Sequence, residues 1–282
     1  MQLTNSSFSL IDELPYLTAA PGGGGTSCAS LPILRVEARG VPPGCSGVLI
    51  TSDLQGVAPL PSANHQTRLL GEVLVEHLEA LAERGELPDP RDLGVLIAGD
   101  MFSEARARKR GATGDVVGVW LAFARSFRWV AGVAGNHDLF PSGTGLRLLR
   151  RYETVRRLDG ERWEIDGLTV GGVSGIIGKQ GKPNRHSPER FVELLTQVLR
   201  ADPDVVVLHQ GPPGAARGQL GDARIAEAIA RRPPPLVVCG HCHWAEPLAS
   251  VAGTTVLNAD GRAVLLVPAT EDGAPSPPAV DG

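Results

Sequence analysis

The sequence is poor in cysteine and in long apolar runs. Only four of its 282 residues are cysteines, which is too few for the disulfide framework of a secreted domain. Residues 1–17 contain no Lys or Arg and no continuous apolar run, so the sequence predicts no signal peptide. No later stretch approaches the length of a membrane span. We therefore expect a cytoplasmic protein that does not interact with a membrane.

A strong excess of charge of either sign is also absent. The formal net charge is -4 at pH 7, which argues against broad binding of nucleic acid driven by net charge. A local basic site is compatible with this balance. With 42% hydrophobic content, the chain can bury a sizeable core and fits one large domain or two small ones.

The composition divides the chain into three parts. Residues 1–32 contain a glycine-rich spacer at 21–25 and little periodicity, so we expect a peripheral N-terminal arm. Residues 33–267 carry the clearly periodic segments and are expected to form the main domain. Residues 268–282 are rich in Pro and Ala, which is typical of a disordered tail.

Within the main domain, short apolar runs alternate with amphipathic segments. Ser187 followed by Pro188 is typical of a helix start. The predicted strands cover residues 33–37, 47–52, 93–98, 128–133, 205–208 and 235–239, and the predicted helices cover residues 66–84, 115–125, 188–200 and 220–231. Two hairpins are also predicted, one pairing residues 162–165 with 168–173 and one pairing 254–257 with 262–267.

Polar residues follow five of these strands at the point where each strand ends. In open α/β sheets, the carboxyl ends of the strands meet at one edge and form the binding site. A single Asp or His at such a place is more often a turn former or a surface group, but five together favour a shared site. Carboxylate, imidazole and amide oxygen are ligands of divalent metals. The residues are Asp53 with Gln55, Asp100, Asn136 with His137, His209, and His241 with His243.

The stretch that contains the last two histidines has two interpretations. Cys239 and Cys242 form a C-x-x-C motif, which is typical of a thiol oxidoreductase. His241 and His243 alternate, so an extended backbone would point both imidazoles to one side, as in a metal site. A redox pair needs its first cysteine near a helix N-terminus, where the thiol pKa is lowered. Since Cys239 ends an apolar strand, the sequence favours the metal site.

The ordered blocks around these residues resemble the calcineurin-like metallophosphoesterase family, whose pattern runs D-x-H, G-D-x-x-D, G-N-H-D/E, H and G-H-x-H. Here the blocks are Asp53-Leu-Gln55, Gly99-Asp100-Met-Phe-Ser103, Gly135-Asn136-His137-Asp138, His209, and Gly240-His241-Cys-His243. The resemblance spans about residues 47 to 267. The implied fold is α/β, a metallophosphoesterase-type β-sandwich of two mixed sheets flanked by helices, with the metal site at the carboxyl-terminal edge of the strands.

The resemblance also implies two divalent metal ions that share one bridging carboxylate, Asp100. The other implied ligands are Asp53, Gln55 and His243 for the first metal, and Asn136, His209 and His241 for the second. We expect manganese, with iron, zinc, nickel, cobalt or magnesium as alternatives.

The implied reaction is the hydrolysis of a phosphodiester or a phosphomonoester by a hydroxide that the two metals activate. His137 would face the phosphate and donate a hydrogen bond or a proton to the leaving oxygen. Asp138 would orient the His137 ring and keep it basic, with a turn cap as an equally weighted alternative.

Two positions depart from the family pattern. Gln55 stands where the family usually has a metal-binding His, and Ser103 replaces the second Asp of its block, which usually acts away from the metals. Because an amide oxygen is neutral and a poorer donor than imidazole, we expect weaker binding of the first metal or a preference for Mn²⁺ or Mg²⁺.

Basic residues near the blocks are candidates for substrate contact. They suit a phosphate-ester substrate such as a nucleotide or a nucleic-acid end, and a solvated basic face is the common alternative. The candidates are Arg106, Arg108, Lys179, Lys182 and Arg185. We expect no obligate protein partner.

Three function classes remain open. The favoured class is a metal-dependent phosphoesterase, because the ligand set is nearly complete. The second is a protein that keeps the fold as a scaffold or binding protein without turnover. The third is a thiol oxidoreductase that uses Cys239 and Cys242.

Overall fold

The computed structural model describes residues 1–4, 6–22, 24–59 and 67–269. These residues form five α-helices: α1 (Leu70–Glu83), α2 (Val117–Ser126), α3 (Thr144–Leu149), α4 (Pro188–Arg200) and α5 (Ala223–Arg231). They also form eighteen strands: β1 (Gln2–Leu3), β2 (Ser9–Ala19), β3 (Thr26–Arg39), β4 (Gly47–Ser52), β5 (Leu93–Ile97), β6 (Gly114–Asp115), β7 (Trp129–Gly132), β8 (Asp138–Leu139), β9 (Val155–Arg157), β10 (Glu161–Ile165), β11 (Leu168–Val173), β12 (Ile176–Ile177), β13 (Arg185–His186), β14 (Val205–Gln210), β15 (Leu236–Gly240), β16 (Leu248–Val251), β17 (Thr254–Asn258) and β18 (Arg262–Pro268).

Two large sheets contain most of these strands. The first has the order β1-β3-β18-β4-β5-β7-β9, with β2 also paired to β3, and the second has the order β10-β11-β14-β15-β17-β16. The pairs β4–β5, β5–β7, β14–β15 and β15–β17 are parallel, whereas β18–β4, β10–β11 and β16–β17 are antiparallel. Both sheets are therefore mixed, which confirms the expected fold class.

Alternating side chains along the central strands build the apolar layers of the fold. In β14, Val205 and Val207 pack in the core between the two sheets, while Val206 and Leu208 pack with the residues of α4 and α5. The first sheet likewise divides its side chains between that central core and the layer formed with α1, α2 and α3. Helices thus cover the outer face of each sheet. The central strands are therefore buried on both faces, and continuous apolar runs are typical of such strands.

The N-terminal segment belongs to the first sheet. Residues 1–32, which the sequence indicates as a peripheral arm, contain β1, β2 and the start of β3. Leu14 and Leu31 are buried in the layer between the first sheet and its helices. Pro15 and Pro32 weaken the strand signal in the sequence, but each lies where its strand has a partner on one side, a place that tolerates proline.

The burial of Leu31 makes the contribution of this segment measurable. Leu31 is 0% exposed, whereas Leu10 in β2 is 59% exposed. We expect Leu31→Ala to lower the free energy of unfolding by about 2–5 kcal/mol, because it leaves a cavity in the core. Leu10→Ala, the matched control, is expected to change it by about 0.5 kcal/mol or less. Urea unfolding measures both, and equally small changes would show that the β2–β3 hairpin lies outside the cooperative core.

The predicted hairpin of residues 254–257 and 262–267 is wrong. β17 pairs with β15 and β16 in the second sheet, whereas β18 pairs with β3 and β4 in the first. Each is an interior strand with two partners, so neither has an edge left for the other. Residues 259–261 therefore cross from one sheet to the other. The second predicted hairpin, β10 with β11, is confirmed, and so is the start of α4, where Ser187 Oγ accepts the Arg190 N–H.

Two predicted segments have different ends in the structure. β18 extends to Pro268, and the Ala269 N–H donates to the Ala38 carbonyl at 3.0 Å; residues 270–282 of the expected tail lie outside the described residues. The first predicted helix begins at Leu70 rather than at residue 66, which also lies outside the described residues.

Across the described ranges, no helix combines the length and apolarity needed to cross a membrane.

Candidate metal centre

The predicted metal ligands lie at the ends of central strands from both sheets. Asp53, Asp100 and His241 each come within three residues after a strand, and Asn136 follows β7. His209 lies near the carboxyl end of β14, where the register with β15 shifts. Hydrogen bonds and short contacts connect them across the sandwich.

One group of potential metal ligands forms among the described residues. Asp100, His209 and His241 each offer a donor atom, and these atoms lie within 4.8 Å of one another. Asn136 adds its Oδ1, which is 3.2 Å from His209 Nε2. Together these four residues form the set expected for the second metal, including the bridging Asp100. One carboxylate, one amide oxygen and two imidazoles fit a divalent transition metal.

His209 is oriented by the backbone of the first sheet. Its Nδ1 donates to the Ala98 carbonyl at 2.8 Å, so its Nε2 faces Asp100 Oδ2 at 3.3 Å. A carbonyl partner on the far nitrogen is typical of a metal-binding histidine. Burial lowers the pKa of His209, but the charge and hydrogen bond of Asp100 outweigh burial and raise the pKa to about 10. A bound cation would displace the proton that these two side chains share.

At His241, in contrast to His209, burial outweighs the nearby carboxylate, so this imidazole is neutral at pH 7. Burial lowers its pKa to about 4, and the nearby His209 contributes in the same direction. The two rings are 5.1 Å apart between centroids. A neutral imidazole keeps a lone pair available for a metal.

The residues expected at the first metal are arranged less tightly. Asp53 Oδ2 accepts hydrogen bonds from Ser52 Oγ at 2.6 Å and from the His241 N–H at 2.9 Å. Gln55 Nε2 donates to Asp100 Oδ2 at 3.0 Å, so Gln55 contacts the carboxylate that is expected to bridge the two metals. His243 is exposed, and its Nδ1 is 3.1 Å from Asp260 Oδ1. Asp53 and Gln55 thus lie beside the cluster, and His243 lies at the rim.

Asp260 is a site residue that the sequence did not indicate. It was assigned to the turn of a hairpin, and only the crossing between the sheets brings it to this edge. Burial raises the pKa of Asp53 well above its ordinary value, and the negative charge of Asp260 raises it further. For Asp100, burial acts in the same direction, but the charge of His209 outweighs it and lowers the pKa. Buried and partly buried carboxylates whose charges act on one another in this way favour a bound cation.

Two glycines explain why the blocks begin as they do. A Cβ atom on Gly135 would lie 2.0 Å from Asp100 Oδ1, and a Cβ atom on Gly240 would lie 2.2 Å from Asp53 Oδ2. Any side chain at either position would therefore displace a predicted ligand. The glycine before each histidine block is required for the close approach of two loops.

Three predicted ligands have a left-handed backbone. The φ angles of Asp53, Asp100 and His241 are 55°, 56° and 69°. Such angles are uncommon outside glycine and are found at functional sites, where the surrounding structure holds them. Each of the three follows a strand, and the donor atoms of Asp100 and His241 lie in the same cluster.

Asp138 binds the backbone rather than the His137 ring. Its carboxylate accepts the N–H groups of Asp100, Met101 and Gly135, each at 2.8 Å. Burial and the charge of Asp100 raise the pKa of Asp138 to about 6. The side chain is buried beneath the loops, so the ring-orienting role expected from the sequence does not fit, and the alternative of a loop cap does.

The His137 ring has a different partner. Its Nδ1 is 3.1 Å from Thr113 Oγ1, and its backbone N–H donates to Asp100 Oδ1 at 2.8 Å. Gly111 also packs against this ring, since a Cβ atom there would lie 3.1 Å from His137 Cε1. Gly111 and Thr113, which follow Arg106 and Arg108 in the chain, therefore lie against the proposed catalytic histidine. Sequence reasoning missed Thr113, for which no motif exists in the chain.

The basic candidates differ in their relation to the site. Burial lowers the pKa of His137, and the positive charges of Arg185 and Lys182 lower it further. Their loop is held at the site because Asn184 Nδ2 donates to the Gly135 and Asp138 carbonyls at 2.7 Å. The remaining three candidates lie in exposed or partly exposed loops: the backbone N–H groups of Arg106 and Arg108 bind the Glu104 carboxylate, and Lys179 is exposed.

Ser103 and the two cysteines of the C-x-x-C motif are the other positions that the sequence singled out. Ser103 is buried and its Oγ donates to the Glu104 carbonyl at 3.4 Å. Burial raises the pKa of both the Cys239 and the Cys242 thiols, whereas redox catalysis needs a lowered thiol pKa. The N-terminal strand β2 also supports the site, since Thr18 Oγ1 donates to the Gln55 carbonyl at 3.1 Å.

Comparison of the sequence with known families agrees with this geometry. A family model described as calcineurin-like phosphoesterase matches residues 47–245, which include all five blocks. The chain belongs to the calcineurin-like phosphoesterase family. The resemblance inferred from the blocks is confirmed, and divalent metals are the cofactors of this family. No curated protein matches the chain.

The chain is also similar to solved structures. Protein TT1561 of Thermus thermophilus is 15% identical, with a TM-score of 0.50, and the match covers 76% of this chain and 88% of that one. A phosphopantetheinyl hydrolase from Mycobacterium tuberculosis is 15% identical, with a TM-score of 0.43 and coverage of 77% and 90%. At this identity the likeness to the Thermus protein concerns the fold alone.

Proposed function

We propose that this calcineurin-like phosphoesterase hydrolyses a phosphodiester or a phosphomonoester with the help of two divalent metal ions. The observation that supports this best is the donor cluster of Asp100, His209 and His241 at the edge where the family blocks meet. When bound, two such ions lower the pKa of a water molecule and offset negative charge on the phosphoryl oxygens. We propose manganese because Gln55 offers a neutral oxygen, with iron, zinc, nickel, cobalt or magnesium as alternatives.

The positions of the described side chains support this proposal. The second ion would be held by Asp100, Asn136, His209 and His241, whose donor atoms already face one another. The first would be held by Asp100 together with Asp53, Gln55 and His243. Gln55 contacts Asp100 through Nε2, and a half-turn of its amide group places Oε1 at the same point, where it can serve as a ligand.

His137 is the residue that we propose contacts the leaving oxygen. When the Thr113 hydroxyl donates to Nδ1, the ring proton is on Nε2. The Nε2–H of the His137 ring can then donate to the leaving oxygen as negative charge develops there. Thr113, rather than Asp138, is the side chain that fixes the ring.

The charges around His137 support the proposed substrate class. Arg185 and Lys182 make this side of the site positive, which suits a phosphate ester with further negative charge, such as a nucleotide or a nucleic-acid end. Contact by Arg106, Arg108 and Lys179 stays a prediction, as does a cytoplasmic location.

A panel of esters and metals tests the proposed function. We expect metal-dependent hydrolysis of bis-p-nitrophenyl phosphate or p-nitrophenyl phosphate when Mn²⁺, Ni²⁺, Co²⁺, Zn²⁺ and Mg²⁺ are compared. His137→Ala is expected to lower kcat by about 10²–10⁴-fold with unchanged metal content. If no ester is hydrolysed with any metal, the scaffold becomes the better proposal. Insulin reduction that requires Cys239 and Cys242 would instead support the oxidoreductase.

Replacing Gln55 by histidine tests its assignment at the first metal. Because imidazole is a better donor than an amide oxygen, we expect Gln55→His to keep activity and to tighten the first metal by roughly tenfold, which is about 1.4 kcal/mol. Calorimetric titration of metal-free protein with Mn²⁺ measures this. Gln197→His adds a histidine on the exposed side of α4 and serves as the control. Complete loss of activity in Gln55→His would show that Gln55 has a different role.

A further inference from the structure

The crossing between the two sheets passes beside the proposed first metal site. Residues 259–261 connect β17 to β18 and lie beyond residue 245, where the match to the family model ends. Asp260 pairs with Ser52 through a backbone bridge, so it lies next to the residue that precedes Asp53. This segment therefore belongs to the site in space although it is outside the family blocks in sequence.

Hydrogen bonds on both sides of Asp260 join the crossing to the loop of His241 and His243. Before it, Asn258 Nδ2 donates to the Cys242 carbonyl at 2.9 Å, and Asn258 Oδ1 accepts the Asp260 N–H at 3.1 Å. After it, the guanidinium of Arg262 donates to the Trp244 carbonyl at 2.8 Å. The position of Asp260 relative to this loop is thus fixed by buried or partly buried contacts.

The Asp260 carboxylate contacts the one imidazole of the proposed site that is mostly exposed. Asp260 Oδ1 is 3.1 Å from His243 Nδ1, and the side chains of Asp260 and His243 are 16% and 64% exposed. A carboxylate at Nδ1 fixes the ring and leaves Nε2 free, which is the usual arrangement of a metal-binding histidine held by an acidic partner. An exposed histidine without such a partner would sample several rotamers.

We propose that Asp260 is a positioning residue of the first metal site, where it orients His243 through Nδ1 and adds negative charge beside Asp53. This inference rests on the proposed function, since it assumes the two-metal site. The charge matters in this chain because Gln55 is a weaker donor than the histidine that the family usually has at that position. Asp260 thereby offsets part of the affinity for the first metal that is lost because Gln55 stands in place of a histidine.

Titration of metal-free protein with Mn²⁺ tests this role without measuring activity. We expect the wild type to bind two ions per chain. Asp260→Asn is expected to keep the second ion and to bind the first about 10–100-fold more weakly, whereas Asp260→Glu is expected to restore part of that loss. Glu164→Gln, an exposed carboxylate on β10, is the matched control and is expected to bind both ions as the wild type does.

A double-mutant cycle shows whether Asp260 acts through His243. In a His243→Ala background, Asp260→Asn is expected to weaken the first ion less than it does in the wild type, because only its charge beside Asp53 is then lost. Equal losses in both backgrounds would overturn the role assigned to Asp260. In addition, Gln55→His is expected to recover most of the affinity lost in Asp260→Asn.

The remaining outcomes separate this inference from the proposed function. A wild type that binds fewer than two ions contradicts the proposed function itself. Two ions in the wild type, with unchanged affinities in Asp260→Asn, overturn the role of Asp260 alone. Thermal unfolding of the metal-free variants checks their fold; if Asp260→Asn does not fold, the comparison of Asp260→Glu with the wild type decides, and an unchanged affinity there overturns the inference.

Discussion

Asp100→Asn is expected to lower kcat for a phosphate ester by about a thousandfold, which corresponds to about 4 kcal/mol of lost transition-state stabilisation. The Asp100 carboxylate contacts His209 at 3.3 Å, Gln55 at 3.0 Å and the backbone N–H of His137 at 2.8 Å. It is therefore the side chain that links the two proposed metal sites to His137, the proposed catalytic histidine. An amide has the same shape but carries no charge to hold two cations. Steady-state kinetics and metal analysis of the same samples measure the effect, and we expect fewer than two ions per chain.

The control for this prediction is Asp202→Asn. Asp202 also has a left-handed backbone, with a φ angle of 48° against 56° for Asp100, and asparagine tolerates that conformation. Asp202 is exposed and pairs with Arg232, so we expect normal kinetics and two bound ions. Normal metal content and activity in Asp100→Asn would show that Asp100 does not bridge the metals.

Asp138→Ala is expected to lower the free energy of unfolding by about 3 kcal/mol or more in metal-free protein. The change leaves the N–H groups of Asp100, Met101 and Gly135 without their acceptor, and each buried donor left unpaired costs about 1–3 kcal/mol. His137→Ala is the comparison: the ring is only partly buried, so we expect a smaller loss of stability and a larger loss of activity. Urea unfolding and kinetics on both variants measure the contrast.

The opposite pattern would restore the role that the sequence suggested for Asp138. If Asp138→Ala unfolds like the wild type and shifts the pH dependence of kcat, the carboxylate acts on the His137 ring. If stability falls and the folded fraction keeps the wild-type pH dependence, the carboxylate holds the loops. The three backbone hydrogen bonds favour the second result.

The strands and the cluster of potential ligands were accessible from the sequence because they depend on local patterns. An apolar run that ends in a polar residue predicts both a strand and its carboxyl end, and this places Asp100, His209 and His241 in one group. The cap of α4 was predictable for the same reason, since Ser187 and Pro188 are adjacent in the chain. The roles of the ligands at each metal stay predictions.

The errors concern partners that are distant in sequence. The β2–β3 hairpin has proline and acidic residues that weaken its local signal, and it becomes part of the sheet because β18 pairs with β3. Similarly, β17 and β18 look like a hairpin because a short polar segment separates them. Their pairing is decided by which edges are free, and β15 and β4 provide those edges.

The sequence by itself determined the family, the metal-binding character of the site and the presence of Gln55 where the family usually has a histidine. Residue type and order along the chain are enough for these. Only the tertiary structure decided that Asp138 holds loops, that Thr113 contacts His137 and that Asp260 contacts His243. The physical reason is that direction of a side chain and contact across two sheets depend on packing, which residue order does not specify.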